Sequence, residues 1–140
     1  MAVSLAACSS DAAQSGGQSV ADATQSTYDA CMVVDQGLGD INAAANEIGS
    51  AQSYENANEA RIAMMPTLIE GLDDLTNTIG NVPVRDQLKS FTDTYRELFD
   101  AIKSDDETKI EAAETKATGA LTTLSTTCQA AFAEEASQSE

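Results

Sequence analysis

Three cysteines carry the most reactive side chains of this 140-residue chain: Cys8, Cys31 and Cys128. A thiolate can act as a nucleophile, bind a metal or form a disulfide. Cys31 and Cys128 have no nearby histidine or further cysteine, so they cannot complete a zinc tetrahedron, and we expect no metal site. The alternatives for these two residues are a disulfide or two buried free thiols.

Carboxylates are the only other side chains numerous enough to build a site, since the chain has 23 Asp and Glu. Many recur at spacings of three or four residues, which places each group on one helix face. Such oxygens can bind hard cations weakly, but the chain has no EF-hand loop, and we interpret the groups as solvated helix faces. The groups are Glu55 and Glu59; Glu70, Asp73 and Asp74; Asp93, Glu97 and Asp100; and Glu107, Glu111 and Glu114.

The residues that are missing exclude several kinds of chemistry. The chain has no histidine, which removes Ser-His and Cys-His nucleophile pairs, ordinary zinc catalysis and His-ligated haem or di-iron sites. Seven bases against 23 acids give a net charge of −16, which excludes nucleic acid as a partner. We therefore expect no catalytic residue, no cofactor and no enzymatic activity.

The N-terminal run Leu5-Ala6-Ala7-Cys8, followed by Ser9-Ser10-Asp11, resembles the lipobox of bacterial lipoproteins. The resemblance implies that a peptidase cuts before Cys8 and that the Cys8 sulfur carries diacylglycerol. The protein would then be exported and anchored to the outer face of the cell membrane. Residues 1–7 lack the basic and long apolar regions of a complete signal, so we interpret them as a truncated signal peptide remnant. A short cytosolic leader is the alternative.

A small, polar and glycine-containing stretch follows the lipobox. We interpret residues 8–19 as the lipidated cysteine and a flexible tether, whose mean reach would be ~18 Å. No stretch elsewhere has the roughly 18 apolar residues of a transmembrane helix. The lipid on Cys8 would therefore be the contact with the membrane.

Residues 20–140 show four amphipathic segments. The first has an apolar seam in steps of four and three residues from Val20 to Ile48, which includes Cys31 and Leu38. Glycines at positions 37 and 39 favour a kink or a close helix contact, with a break near residues 37–40 as the alternative. The later seams are Ile62, Met65, Ile69, Leu72 and Ile79; Val84, Leu88, Phe91, Tyr95, Leu98 and Ile102; and Ile110, Ala113, Ala117, Leu121, Leu124, Cys128 and Ala131.

Local signals mark where the later segments begin. Ser53 is a candidate N-cap for the second, in which Pro66 should introduce a bend. Pro83 suits the first turn of the third, and Ser104 to Glu107 matches a capping box for the fourth. Long helices joined by such short turns must run antiparallel, so we predict a single all-α, up-down-up-down antiparallel four-helix bundle.

In that topology the first and fourth helices are antiparallel neighbours. Cys31 and Cys128 lie on their facing seams and differ in height by five residues, or ~7 Å. We predict that they form a disulfide, which export into an oxidising compartment would favour. The architecture also resembles small helical-bundle lipoproteins of Gram-positive, actinobacterial-type cell envelopes.

These observations lead to two expectations for function. The first is a monomeric, non-enzymatic extracytoplasmic lipoprotein whose acidic bundle recognises a protein or an envelope polymer. The second is a carrier lipoprotein that binds a small ligand or a cation. An exposed apolar groove would favour recognition, and an enclosed cavity above ~300 Å³ would favour the carrier.

Overall fold

The computed structural model describes residues 23–139, which contain four helices and their short connections. The helices are α1 (Thr27–Ser50), α2 (Ala57–Thr78), α3 (Val82–Ser104) and α4 (Glu107–Gln138). Each helix packs on the next along the chain, and α4 also contacts α1. The predicted all-α four-helix bundle is confirmed, and residues 23–139 contain no strand.

Hydrogen bonds between Gln25 and the turn before α3 hold the chain at the start of α1. The Gln25 side-chain oxygen accepts from the backbone N–H groups of Gly80 and Asn81, at 3.0 and 3.2 Å. The side-chain amide nitrogen of Asn81 donates to the backbone carbonyl of Gln25 at 3.1 Å. Helix α1 begins at Thr27, whereas the predicted apolar seam begins at Val20, which lies outside the described residues.

A polar side chain caps the N-terminus of every described helix. The predicted starts at Ser53 and Ser104 are wrong by a few residues, because asparagine and aspartate cap as well as serine does. Asp105 adopts a left-handed conformation with a φ of 56° and ends α3, so the next residue caps α4. The caps are Ser26, Asn56, Asn81 and Asp106, which accept from the backbone N–H groups of Asp29, Glu59, Val84 and Lys109 at 3.0, 3.0, 3.1 and 3.2 Å.

The close helix contact predicted for α1 is confirmed at Gly37. A Cβ atom there would lie 2.5 Å from Cδ1 of Leu75 on α2, whereas a Cβ on Gly39 would meet nothing within 4 Å. The same two helices approach closely where Ile41 covers Gly71. Helix α1 continues unbroken from residue 27 to residue 50, so the alternative of a break is wrong.

The buried core has two clusters along the bundle. All four helices contribute to the first, whereas only α2, α3 and α4 contribute to the second. Tyr95 packs against both clusters, and its burial raises the pKa of its hydroxyl, an effect that nearby Arg61 opposes. The first cluster contains Ala30, Cys31, Val34, Leu72, Leu75, Ile79, Val84, Leu88, Phe91, Leu124 and Cys128; the second contains Met65, Leu98, Ala101, Ile102, Ile110 and Ala113.

Two large apolar residues of the predicted seams are exposed instead of buried. Leu121 of α4 is 42% exposed because it faces the seam with α1, where the two helices make the least extensive contact of the four neighbouring pairs. Ile62 of α2 is 37% exposed, since the second cluster is filled by Met65, with Leu68 and Ile69 at its edge, and does not reach it. By contrast, most of the predicted seam of α3 is buried.

The two glycines of α1 provide a matched test of this packing. We expect Gly39→Ala to raise the free energy of unfolding by about 0.5–1 kcal/mol, because alanine favours the helix and the added methyl group meets open space. Gly37→Ala should instead lower it by about 1–3 kcal/mol through the clash with Leu75. Urea unfolding measures both. Equal stabilisation by the two substitutions would show that Gly37 does not set the distance between α1 and α2.

Candidate functional site

A disulfide joins α1 to α4 near one end of the bundle. The Sγ atoms of Cys31 and Cys128 are 2.06 Å apart and their Cα atoms 5.4 Å apart. The exposed fractions of the two residues are only 1% and 9%. This is the pair that the facing seams predict. Since both cysteines belong to the first core cluster, the bond anchors α1 where all four helices meet.

An open groove runs along the α1–α4 seam beside this disulfide, and we call it the seam groove. It consists of two clefts, of about 230 and 520 Å³, which share Asp35 and Phe132. An edge-to-face contact between Tyr28 and Phe132, with ring centroids 5.6 Å apart, forms part of the second cleft. The first cleft is lined by Val34, Asp35, Leu38, Leu121, Leu124, Ser125, Cys128, Gln129 and Phe132, and the second by Tyr28, Met32, Asp35, Phe132, Glu135, Ala136 and Ser139.

Exposed apolar side chains occur in both clefts of the seam groove. Leu121 in the first is 42% exposed, and Met32 in the second is 49% exposed. Both side chains are large and apolar, so covering them with another apolar surface would lower the free energy. The groove therefore has two apolar contact points that no described part of the chain covers.

Every charged residue that lines the seam groove is acidic. Asp35 and Glu135 line it, and both are exposed. Helix α1 carries four acids and no base, and α4 has no base after Lys116. The groove therefore combines apolar contact surface with negative charge that no neighbouring lysine or arginine on these two stretches neutralises.

On α2, α3 and α4, basic side chains pair with five acids, within α3 and between helices. Arg96 of α3 bridges Asp73 of α2 and Asp93 of its own helix, the latter at 2.9 Å. The hydrogen bond with Asp73 is the main cause of the raised pKa of this guanidinium. Further pairs are Arg61–Glu114 and Lys116–Glu97, both at 2.8 Å, Lys89–Asp93 at 3.3 Å and Lys103–Asp100 at 3.5 Å.

The acid groups singled out in the sequence are thus divided between ion pairs, helix caps and open clefts. Glu59 accepts a hydrogen bond from the backbone N–H of Glu55 at 3.0 Å. Glu107, Glu111 and Glu114 line an open polar cleft of about 690 Å³ together with Arg61. Within residues 23–139, no cluster of three or more Cys, Asp or Glu side chains could hold a metal ion.

The predicted lipidation residue Cys8 lies outside the described residues, as do the predicted signal remnant 1–7 and tether 8–19. None of the described helices is long and apolar enough to cross a membrane. No family model, curated protein or solved structure matches the chain.

The apolar periodicity of the sequence does not reveal the seam groove. Leu121 falls on the predicted core seam of α4, and Met32 falls on none of the predicted seams. One signal was available, because residues 1–60 contain eight acids and no base. That asymmetry marks α1 as the helix whose acids lack basic neighbours on the same element, but it does not show which helices leave a gap between them.

The disulfide can be tested in Cys8→Ala protein, in which Cys31 and Cys128 are the only cysteines. We expect no thiol labelling of the unfolded, unreduced protein and two labelled thiols after reduction, both read by intact mass. Reduction should lower the free energy of unfolding by about 4–5 kcal/mol, because the bond encloses a long loop in the unfolded chain. Two labelled thiols before reduction would contradict the pairing.

Proposed function

We propose that this protein is an exported lipoprotein, anchored through Cys8, whose bundle recognises a basic partner in the cell envelope through the seam groove. The observation that carries the proposal is the composition of that groove. Its exposed Leu121 and Met32 offer apolar contact, while its charged lining residues, Asp35 and Glu135, are both acidic.

Apolar and acidic side chains contribute differently to such recognition. Covering Leu121 and Met32 would supply affinity, because apolar surface removed from water contributes about 25 cal/mol per Å². The acids would attract a basic partner and repel an acidic one, an effect screened beyond ~8 Å at physiological salt. The net charge of −16 extends the same preference to the whole molecule.

The lipobox-like run explains where recognition would take place. A lipid on Cys8 would hold the bundle at the membrane, and residues 9–19 would allow it to reorient within ~18 Å. Tethering raises the effective concentration of the bundle for partners at the same surface. Modest affinity would then suffice for a stable encounter.

A carrier of a small ligand has weaker support. The mainly apolar clefts, which include those of about 230 and 520 Å³ in the seam groove and one of about 510 Å³ between α2 and α3, are open to solvent, whereas a ligand pocket encloses most of its ligand. The larger cleft of about 690 Å³ is mainly polar. An enzymatic role lacks support for another reason: the chain has no histidine, and five of its carboxylates are engaged in ion pairs.

The anchor is tested by expressing the protein behind a complete signal peptide in a bacterial host. We expect the protein to partition into the membrane and into the detergent phase, because diacylglycerol on Cys8 inserts into the bilayer. Cys8→Ala should move it to the aqueous fraction, while the control Cys31→Ala with Cys128→Ala should not. Unchanged partitioning of Cys8→Ala protein would contradict the lipid anchor.

Recognition is tested by capturing proteins from envelope extracts with the folded bundle at low and at high salt. We expect basic proteins to be captured at low salt and released at high salt. Asp35→Asn combined with Glu135→Gln should weaken capture. The matched control, Glu47→Gln with Asp86→Asn, removes the same charge from exposed positions that line neither cleft of the seam groove, and it should not. Capture that does not respond to salt, or that does not respond to the groove substitutions, would contradict the proposed function.

A further inference from the structure

We propose that the partner segment bound by the seam groove is a basic amphipathic helix, which lies along α1 and α4 as a fifth helix. This inference rests on the proposed function and names its partner class. It is drawn from three properties of the groove: its length, the position of its apolar side chains and the sign of its charges.

The groove is long enough for a helix of about three turns between its two walls and of about five turns along α4. Its lining on α1 extends from Tyr28 to Leu38, or ~15 Å, and its lining on α4 extends from Leu121 to Ser139, or ~27 Å. The two clefts adjoin at Asp35 and Phe132, which line both. A groove between two packed helices offers no strand edge for an extended peptide, whereas it can accept the ridge of another helix.

The apolar side chains are placed to contact one stripe of such a helix. Leu121 and Met32 belong to different clefts, and the partly buried Phe132 lies where the clefts meet. A bound helix would present apolar residues at spacings of three and four to these points. Met32 adds adaptability, because its unbranched side chain can fit different apolar surfaces.

The acidic residues of the groove favour a basic helix over three alternatives: a second copy of this chain, the chain's own residues 1–22 and anionic lipid. A second copy of this chain would bring Asp35 and Glu135 against the same acids, so self-association through the groove is disfavoured. The chain's own residues 1–22 contain Asp11 and Asp22 and no base, so they lack the complementary charge. Anionic lipid headgroups would be repelled for the same reason. Lysines or arginines flanking an apolar stripe fit both features of the groove.

The experiment uses the folded, disulfide-bonded protein and three synthetic helical peptides of about five turns, which would span the lining of the groove on α4. The first peptide has a leucine stripe flanked by lysines. In the second, glutamates replace the lysines, and in the third, serines replace the leucines. Calorimetry measures the three dissociation constants. We expect the first peptide to bind at least about tenfold more tightly than either of the others.

Variants of the protein locate the binding site. We expect Asp35→Lys and Leu121→Gln each to weaken binding of the first peptide by about tenfold, because one reverses a rim charge and the other removes an apolar contact. Asp40→Lys is the matched control for charge, since Asp40 is exposed on the same helix roughly 140° around from Asp35. Val82→Gln is the matched control for an exposed apolar residue, as Val82 is 45% exposed at the start of α3. Neither control should change the affinity.

Three outcomes would overturn the inference. Equal binding of the first and third peptides would mean that charge alone drives association. Equal weakening by Asp35→Lys and Asp40→Lys would place the contact outside the groove. Absence of helical peptide binding, with salt-sensitive capture of basic envelope proteins retained, would reject the helical partner while leaving the proposed function in place. If the Asp35→Asn and Glu135→Gln double variant captured basic envelope proteins as well as the unchanged protein does, the proposed function would be rejected instead.

Discussion

The covalent bond between Cys31 and Cys128 holds together the two neighbouring helices that the rest of the fold joins least. The turns connect each of the other neighbouring pairs directly, and α1 and α4 are the first and last described helices. No residue of α1 enters the second core cluster, so the hydrophobic contact between α1 and α4 is concentrated near the disulfide. The bond therefore determines how α1 approaches α4, and with it the shape of the seam groove.

The distribution of charge follows the same division of the molecule. Ion pairs connect α2 with α3, α3 with α4, and α2 with α4, through Arg96, Lys116 and Arg61 respectively. Such exposed pairs contribute little each, about 0–1 kcal/mol, but they remove local repulsion among the acids. No ion pair within residues 23–139 includes α1, whose attachment relies on close packing against α2 and on the disulfide.

Periodicity predicted the helices and most of the core, because burial of one apolar stripe is a local property of a helix. It placed Leu88, Phe91 and Cys128 in the core correctly, whereas Leu121 depends on how far apart α1 and α4 stand, which no local pattern specifies. The hydrogen bonds of Gln25 were not foreseeable either, since they depend on a turn 55 residues further along the chain. The sequence does not predict the groove because the groove also depends on the distance between α1 and α4.

Close packing between α1 and α2 explains why the groove stays open. Leucine and methionine side chains exposed in a seam would be buried if α1 moved closer to α4. Such a movement would pull α1 away from α2, where Leu75 fills the space above Gly37 and Ile41 covers Gly71. Cavities left there would be destabilising and would oppose the gain from burying the exposed side chains. Because α1 is held on one side by this packing and on the other by the disulfide, the groove is preformed, and a partner of the proposed kind would bind with little reorganisation of the bundle.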